Sequence, residues 1–372
     1  MKLSIIQKDN QEIVVLLDKN MRIVKPVYDY LKYLRQKDRS VNTIRACGRD
    51  LKTYWDFLQS KGYSFEEVTP NTIGEFIEYL RKPVHDESVT FVNTPSRRTG
   101  KTINRILSTI YNFYKYCTLT IQIQNPIFME DINRPFDMFK SLLHHARKDN
   151  KTKKSMFKVK ESERAINIIN DNEAKMFSDN LPTRRDNLIF RIMYLTGMRI
   201  GEVLSLCIED IPVPDGPKEV AVITLVLRET NRYDQQDKSG SRPIYMPMSL
   251  LEEVDNYIME ERNDIDTDHS YLFVSYQKQY LGKPLTYRGL YEVFKKVSEK
   301  TGIALNFHDL RHTCITNLIE SGIDISVAKI IAGHKHISTT QKYTHLSVKY
   351  LEDVLEKYWS KSSLIGGALS GK

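Results

Sequence analysis

The sequence predicts a mainly α protein of the α+β kind, with a helical domain first and a mostly helical second domain that holds one small antiparallel sheet. Three observations predict it. Apolar residues recur at helical spacing from Pro26 to about residue 120 and again beyond residue 170, the mark of helices that bury one face. Two β-rich stretches interrupt the second region, Val220 to Leu227 (VAVITLVL) and Pro243 to Met246, near enough in sequence to pair with each other. Between the helical regions, residues 144–160 (HHARKDNKTKKSMFKVK) hold seven basic residues, one acid and little periodicity, as a connector does. The expected divisions are an N-terminal segment at 1–21, a helical domain at 22–143, a basic linker at 144–165, a second domain at 166–360 and a tail at 361–372.

Each element has its own signal. Residues 1–21 contain two β-prone runs on either side of Lys8, Asp9 and Asn10, readable as a small hairpin or as a flexible leader. Val27, Tyr30, Leu31 and Leu34 form the first helical stripe. Ser40 is a good N-cap for a second helix with Ile44, Cys47, Leu51, Trp55 and Leu58 on one side. Thr69-Pro70 opens a third through Ile73, Phe76, Ile77 and Leu80, since proline is tolerated in a first turn. The fourth carries Ile103, Ile106, Leu107, Ile110, Phe113 and Cys117. In the second domain, DNEAKMFSDN opens a helix, and a buried helix through Leu188, Ile189, Ile192 and Met193 stops at Thr196-Gly197. Helices are expected over Leu250 to Arg262 and Thr286 to Lys300, with SYLFVS between them as a short strand or an extended connection.

Composition bounds the partners. The 372 residues carry 55 Lys plus Arg against 47 Asp plus Glu. The excess is uneven: residues 1–200 hold 35 basic and 23 acidic groups, residues 201–372 hold 20 and 24. A basic first half fits a polyanion such as double-stranded DNA. Two basic stripes run beside the apolar ones, Arg45, Arg49 and Lys52 on the second helix, and Arg98, Lys101 and Arg105 at the fourth; Lys153 and Lys154 lie in the linker. Such stripes can follow a phosphate backbone, although a solvated helix face has the same pattern. Cys47, Cys117, Cys207 and Cys314 are scattered in apolar helical contexts, as reduced core thiols are. No signal-peptide pattern and no membrane-length apolar run is read, so the chain is expected to be cytoplasmic with no membrane partner.

The chemistry concentrates in residues 306–345, NFHDLRHTCITNLIESGIDISVAKIIAGHKHISTTQKYTH. His308 and Arg311 stand three apart on one helix face. Gly322 ends that helix, a second runs over Ile325 to Ala332 with Gly333 as its left-handed stop, and Ser338 can cap a third that carries Tyr343. Guanidinium groups bind phosphate oxygens in a fork, imidazoles donate to those oxygens or move protons, and a phenol can be a nucleophile.

His-x-x-Arg, then Gly-His, then Tyr nine residues later resembles the tyrosine recombinase (phage integrase) family, at His308, Arg311, Gly333-His334 and Tyr343. The stretch TGMRIGE resembles that family's first box and brings in Arg199, with Glu202 three residues on to orient it. KSGSRPIYMP resembles the family's β-hairpin, where a lysine precedes a tight turn and a basic residue opens the returning strand; this points to Lys238, with Lys218 as the other candidate.

The resemblance implies a SAM-like, four-helix core-binding domain at 22–143 and a catalytic domain at 166–360. It also implies a catalytic set of Arg199, Lys238, His308, Arg311, His334 and Tyr343. Tyr343 would attack a DNA phosphate, expel a 5′ hydroxyl and leave a 3′ phosphotyrosine link, with no cofactor and no metal. A homo-oligomer, a tetramer on two duplexes, and accessory recombination proteins are implied partners; residues 347–359 read as an amphipathic helix, and Leu364-Ile365 of the tail could pack on a neighbouring protomer or belong to a frayed terminus. The work implied is that of an integrase or transposase of a mobile element. Two rivals remain at this point: DNA relaxation by a type IB topoisomerase-like enzyme, and a non-catalytic DNA-binding regulator.

Overall fold

The apolar stripes of the first half meet in a single core. The computed structural model describes residues 1–8, 11–81, 98–127, 129–133, 151–161, 166–215, 218–226 and 241–333, with backbone alone for 8, 11, 129–133 and 151–154. The chain forms two compact units, Met1–Arg164 and Ala165–Lys372.

In the first unit, strands β1 (Lys2–Lys8) and β2 (Gln11–Leu17) pair antiparallel, from Lys2 opposite Leu17 to Lys8 opposite Gln11. The N-terminal segment is therefore a hairpin, and Val14 and Leu16 join the core under four helices. These are α1 (Lys25–Gln36), α2 (Val41–Lys61), α3 (Pro70–Arg81) and α4 (Gly100–Ile121). Ser40 caps α2 as the sequence predicts, its Oγ accepting the Thr43 N–H at 3.2 Å, and at α4 Thr99 Oγ1 accepts the N–H of Thr102 at 3.3 Å. Aromatic rings fill the centre edge to face, with Trp55 and Phe113 at 5.3 Å and Tyr54 and Phe76 at 5.1 Å between centroids. The buried hydroxyls of Tyr54 and Tyr114 share a hydrogen bond of 2.8 Å, and Tyr114 also donates to the Phe65 carbonyl.

Two features of this unit differ from the sequence reading. Within the stretch expected as linker, β4 (Lys151–Ser155) pairs antiparallel with β3 (Met129–Asn133). Lys-Thr-Lys-Lys-Ser has little β propensity of its own. The register sets Glu130 opposite Lys154 and Asp131 opposite Lys153. Beyond β4, Phe157 and Val159 pack on the helical core, and the Asn104 amide bonds both the N–H and the carbonyl of Val159 at 2.8 Å.

The basic stripes are the second difference. Arg45 pairs with Glu12 of β2, Lys52 Nζ with Asp56 at 2.7 Å, and Arg105 Nη1 with the buried Asp50 at 2.5 Å. Arg49 and Lys101 are exposed and Arg98 is half-buried. Half of these six expected DNA-facing residues thus hold ion pairs inside the unit: Lys52 with a carboxylate one turn along α2, and Arg45 and Arg105 with carboxylates on neighbouring elements that a stripe read from one helix takes no account of.

The second unit begins with α5 (Asp171–Asp179), closed at its start by a reciprocal cap between Asn170 and Glu173. Next come α6 (Arg184–Thr196) and the short α7 (Ile200–Leu204). Strands β5 (Val220–Leu225) and β6 (Arg242–Pro247) pair antiparallel from Val220 opposite Pro247 to Leu225 opposite Arg242. Ala221, Ile223 and Leu225 face the core while Val220, Val222 and Thr224 face out. The helix α8 (Met248–Tyr257) continues as a π turn to Arg262, and α9 (Tyr287–Thr301), α10 (Phe307–Glu320) and α11 (Ile325–Ala332) follow. SYLFVS is an extended connection tied by single bridges, Cys207 to Tyr271 and Val274 to Pro284. Phe177, Phe190 and Phe294 stand at the centre of this core. The four cysteines are free thiols, all buried but Cys47. Among the described residues, no helix is long and apolar enough to cross a membrane.

Asp50 gives the first unit a test. Its carboxylate is almost wholly buried and accepts from Arg105 and from Thr109 Oγ1 at 2.9 Å, joining α2 to α4. The Arg105 side chain is 53% exposed and stays hydrated when its partner is removed. Asp50→Ala therefore loses stability on the scale of hydrogen bonds to a charged group, about 1.5–3 kcal/mol, below the cost of stranding a fully buried charge. Urea unfolding of the full chain, followed by near-ultraviolet dichroism, measures the difference.

Candidate active site

The site grows from the stop of α6. Gly197 ends that helix at φ 65°, a conformation glycine adopts without strain. The turn leaves Arg199 as the N-cap of α7. Its backbone N–H donates to Glu202 Oε2 at 2.8 Å and its Nη1 to Oε1 at 2.9 Å. Glu202 is 1% exposed, so its charge is held in place by arginine on both oxygens. Glu202 thus holds Arg199 by backbone and side chain together.

Arg311 comes from α10, whose start is fixed by Asn306 and Asp309 capping each other. The Arg311 side chain crosses to two backbone carbonyls: Nη1 donates to Gly197 O at 2.6 Å and Nη2 to Ala332 O at 2.5 Å. Both acceptors lie where a helix ends, at α6 and α11, and carry the partial negative charge of a helix C-terminus. One guanidinium thereby holds together three segments singled out separately in the sequence, TGMRIGE, HDLRH and IIAGH.

A third arginine closes the arrangement. Arg242, the first residue of β6, donates from Nη2 to Glu202 Oε2 at 3.0 Å and from Nη1 to Ile331 O at 2.8 Å. Its Nε is buried with no hydrogen-bond partner among the described residues. Gly333 lies against it, and a Cβ at that position would stand 2.6 Å from Nε. The hairpin pattern in the sequence includes a basic residue here, but nothing local to β6 tells that it reaches Glu202 or α11.

His308 is exposed at the start of α10, its N–H donating to Asn306 Oδ1 at 2.9 Å. One turn on, His312 meets it edge to face, the rings 4.9 Å apart. Burial holds the His312 ring below the ordinary imidazole pKa, and the neighbouring His308 and Arg311 push the same way, against Asp309. Sequence reasoning passed over His312; its signal was its place one turn after His308 and beside Arg311.

Arg199, Arg311 and His308 are thus brought to one region of the second unit. Lys238, His334, Tyr343, the helix expected at 347–359 and the tail lie outside the described residues. Lys218 is exposed and paired with Asp215 at 2.7 Å. Among the described residues no group of His, Cys, Asp and Glu could hold a metal ion.

The fold is that of an integrase. The Tn1549 transposon integrase in complex with circular intermediate DNA superposes with a TM-score of 0.59 at 17% identity, covering 90% of this chain and 99% of that one. The XerH site-specific recombinase bound to a palindromic difH substrate gives 0.58 at 16% identity, covering 89% and 84%. The family model for the phage integrase family matches residues 156–349, and the one for the phage integrase N-terminal SAM-like domain matches residues 27–119. Transposase A from transposon Tn554 of Staphylococcus aureus is 31% identical over 363 residues, which is 96% of this chain and 98% of that protein. Tyrosine recombinase XerA of Pyrococcus furiosus is 33% identical over 202 residues, 54% of this chain and 64% of that one. The chain belongs to the phage integrase family, the tyrosine recombinases.

His312 gives this site a pH signature. Its folded pKa lies below its unfolded value, so as pH falls through about 6.5 the unfolded chain takes up a proton that the folded chain refuses. The stability it contributes is complete above that value and is lost on acidification. In urea unfolding at pH 7.5, 6.5 and 5.5, the wild type should fall toward His312→Asn as pH drops; parallel pH profiles would remove this contribution.

Proposed function

We propose that this chain cuts and rejoins double-stranded DNA as the strand-transfer enzyme of a mobile element, through a 3′ phosphotyrosine link at Tyr343. The observation that carries the reading is the Arg311 guanidinium held between Gly197 O and Ala332 O. It sets Arg311 beside the turn that presents Arg199, and beside the end of α11, after which Gly333-His334 follows in sequence. The similarity to transposase A from Tn554 along nearly the whole of both chains supports the mobile-element part of the reading.

In this mechanism Arg199 and Arg311 bind the non-bridging oxygens of one scissile phosphate and offset the charge that builds up at phosphorus. The Tyr343 phenol loses its proton as its oxygen attacks, a step any phenol needs because an unperturbed one is neutral at pH 7. The bond from phosphorus to the 5′ oxygen breaks, and Lys238 donates the proton that makes it a hydroxyl. His308 serves proton transfer or holds the phosphate, and His334 binds its oxygens. The phosphodiester energy stays in the tyrosyl link, so a 5′ hydroxyl of a second strand can reverse the step in a new pairing without a nucleotide. Exchange between two duplexes calls for several copies of the chain, which we read as a tetramer acting in the cytoplasm, with accessory proteins where the element needs them. The exposed Arg49 and Lys101 are the side chains of the first unit we assign to the DNA backbone, with Arg98, Lys153 and Lys154 beside them, and Arg45, Lys52 and Arg105 in support through their ion pairs.

Two outcomes are expected. On a nicked duplex that traps the link, Tyr343→Phe binds DNA and gives no covalent adduct in a denaturing gel; an adduct with this variant would move the nucleophile elsewhere. Lys238→Ala loses cleavage of ordinary DNA and recovers it on a substrate whose 5′ bridging oxygen is sulfur, a leaving group that needs no proton. Equal loss on both substrates would remove the general acid role.

A further inference from the structure

The Arg242 guanidinium connects α7 to the end of α11. Toward α7 it donates to Glu202 Oε2, and the same carboxylate takes both donors of Arg199. Toward α11 it donates to the Ile331 carbonyl, one residue before the carbonyl that Arg311 holds. The bonds form a closed circuit: Gly197 leads along the backbone to Arg199, then to Glu202, Arg242, the last carbonyls of α11, Arg311 and back to Gly197 O. Gly197, Glu202, Arg311 and Ala332 are buried, and the Arg242 side chain is 10% exposed.

Three features argue that this is more than packing. Arg242 stands at the first position of β6, on the strand that returns from the segment carrying Lys238. Its acceptor Ile331 lies twelve residues before Tyr343. Gly333 leaves room for the guanidinium where any side chain would collide with it. Because a guanidinium is planar, the bond to Glu202 fixes the direction of the bond to Ile331. A lysine has one ammonium nitrogen and does not reproduce the two directions.

We propose that Arg242 is a positioning residue for strand cleavage. By bridging Glu202 and the end of α11, it ties the orientation of Arg199 to the place from which the chain sets out toward Tyr343. The proposal rests on the strand-transfer reading above, and it gives Arg242 a role that acts through Glu202 and the end of α11.

Full-length Arg242→Gln, Arg242→Lys, Glu202→Gln and the Arg242→Gln, Glu202→Gln double variant test it. Each is first matched to wild type by circular dichroism and thermal melting, and Arg242→Lys, the smallest change, stands in for any that fails to fold. Backbone hydrogen exchange should rise in both 199–205 and 325–333 for the Arg242 variants and stay unchanged in the first unit. Single-turnover adduct formation on the nicked duplex should fall by about 10–100-fold, the scale of a displaced catalytic group, while duplex Kd stays within about threefold. Arg242→Lys should not restore the rate. If the two residues act as one device, the double variant is no slower than the worse single variant. Wild-type cleavage by folded Arg242→Gln, multiplicative losses in the double variant, or exchange confined to one of the two segments would each overturn the proposal. An adduct formed by Tyr343→Phe would instead overturn the strand-transfer reading and leave the exchange coupling standing.

Discussion

A buried carboxylate sets the terms for the second unit. Glu202 is 1% exposed, and a carboxylate taken out of water at that depth must be paired and hydrogen-bonded or become neutral. It is paired twice over, by Arg199 through backbone and side chain and by Arg242 through one arm. Removing it strands two guanidinium groups. Keeping it fixes both in direction, and the Arg199 side chain, 30% exposed, is then held from its buried side while its other side meets solvent. The unit therefore has a negative centre with positive groups around it, which lets arginines gather there without repelling one another out of place.

The second constraint is the helix end. An α-helix leaves its last carbonyls without partners within the helix. At α6 and α11 these carbonyls accept from arginine side chains. Cations at C-termini also meet the negative end of the helix dipole. The same glycines that stop the helices make this possible: Gly197 and Gly333 both adopt the left-handed conformation, and Gly333 in addition makes room for Arg242. Each glycine has a local function as a stop and a non-local one as an acceptor or a clearance, and only the first is visible from neighbouring residues in the chain.

That division describes how far the sequence could be read. Ser40, Thr99, Thr286, Gly197, Gly322 and Gly333 mark helix ends by their own conformational chemistry, so the helices of both units were legible, as was the alternation of β5. The boxes around Arg199, His308 and Arg311 were legible too, because each is a short motif. The ties among them were not. Glu202 to Arg242 spans forty residues and Arg311 to Gly197 spans 114, and neither spacing has a periodicity to reveal it. The hidden strand β4 and the ion pairs of Arg45, Lys52 and Arg105 escaped for the same reason. The partners of Arg45 and Arg105 lie on other elements, that of Lys52 lies one turn along its own helix, and a basic stripe read by itself counts each side chain as exposed until its neighbour is known.

The two halves of the chain thus use their basic residues differently, and net charge alone misstates both. Residues 1–200 carry an excess of 12 positive groups, yet part of it on α2 and α4 is absorbed by Glu12, Asp50 and Asp56. The remainder acts over the length of a duplex and is weakened by salt. Residues 201–372 are net negative by four, and this is no obstacle to binding phosphate. What counts for one phosphodiester is whether donors are already pointed before the charge develops. Arg199, Arg242 and Arg311 are pointed by bonds wholly within the second unit, to a carboxylate and to three backbone carbonyls, and none of those bonds waits for DNA to arrive. In the proposed clamp of Arg199 and Arg311, with Arg242 as a positioning residue, the energy of orientation is met when the unit folds.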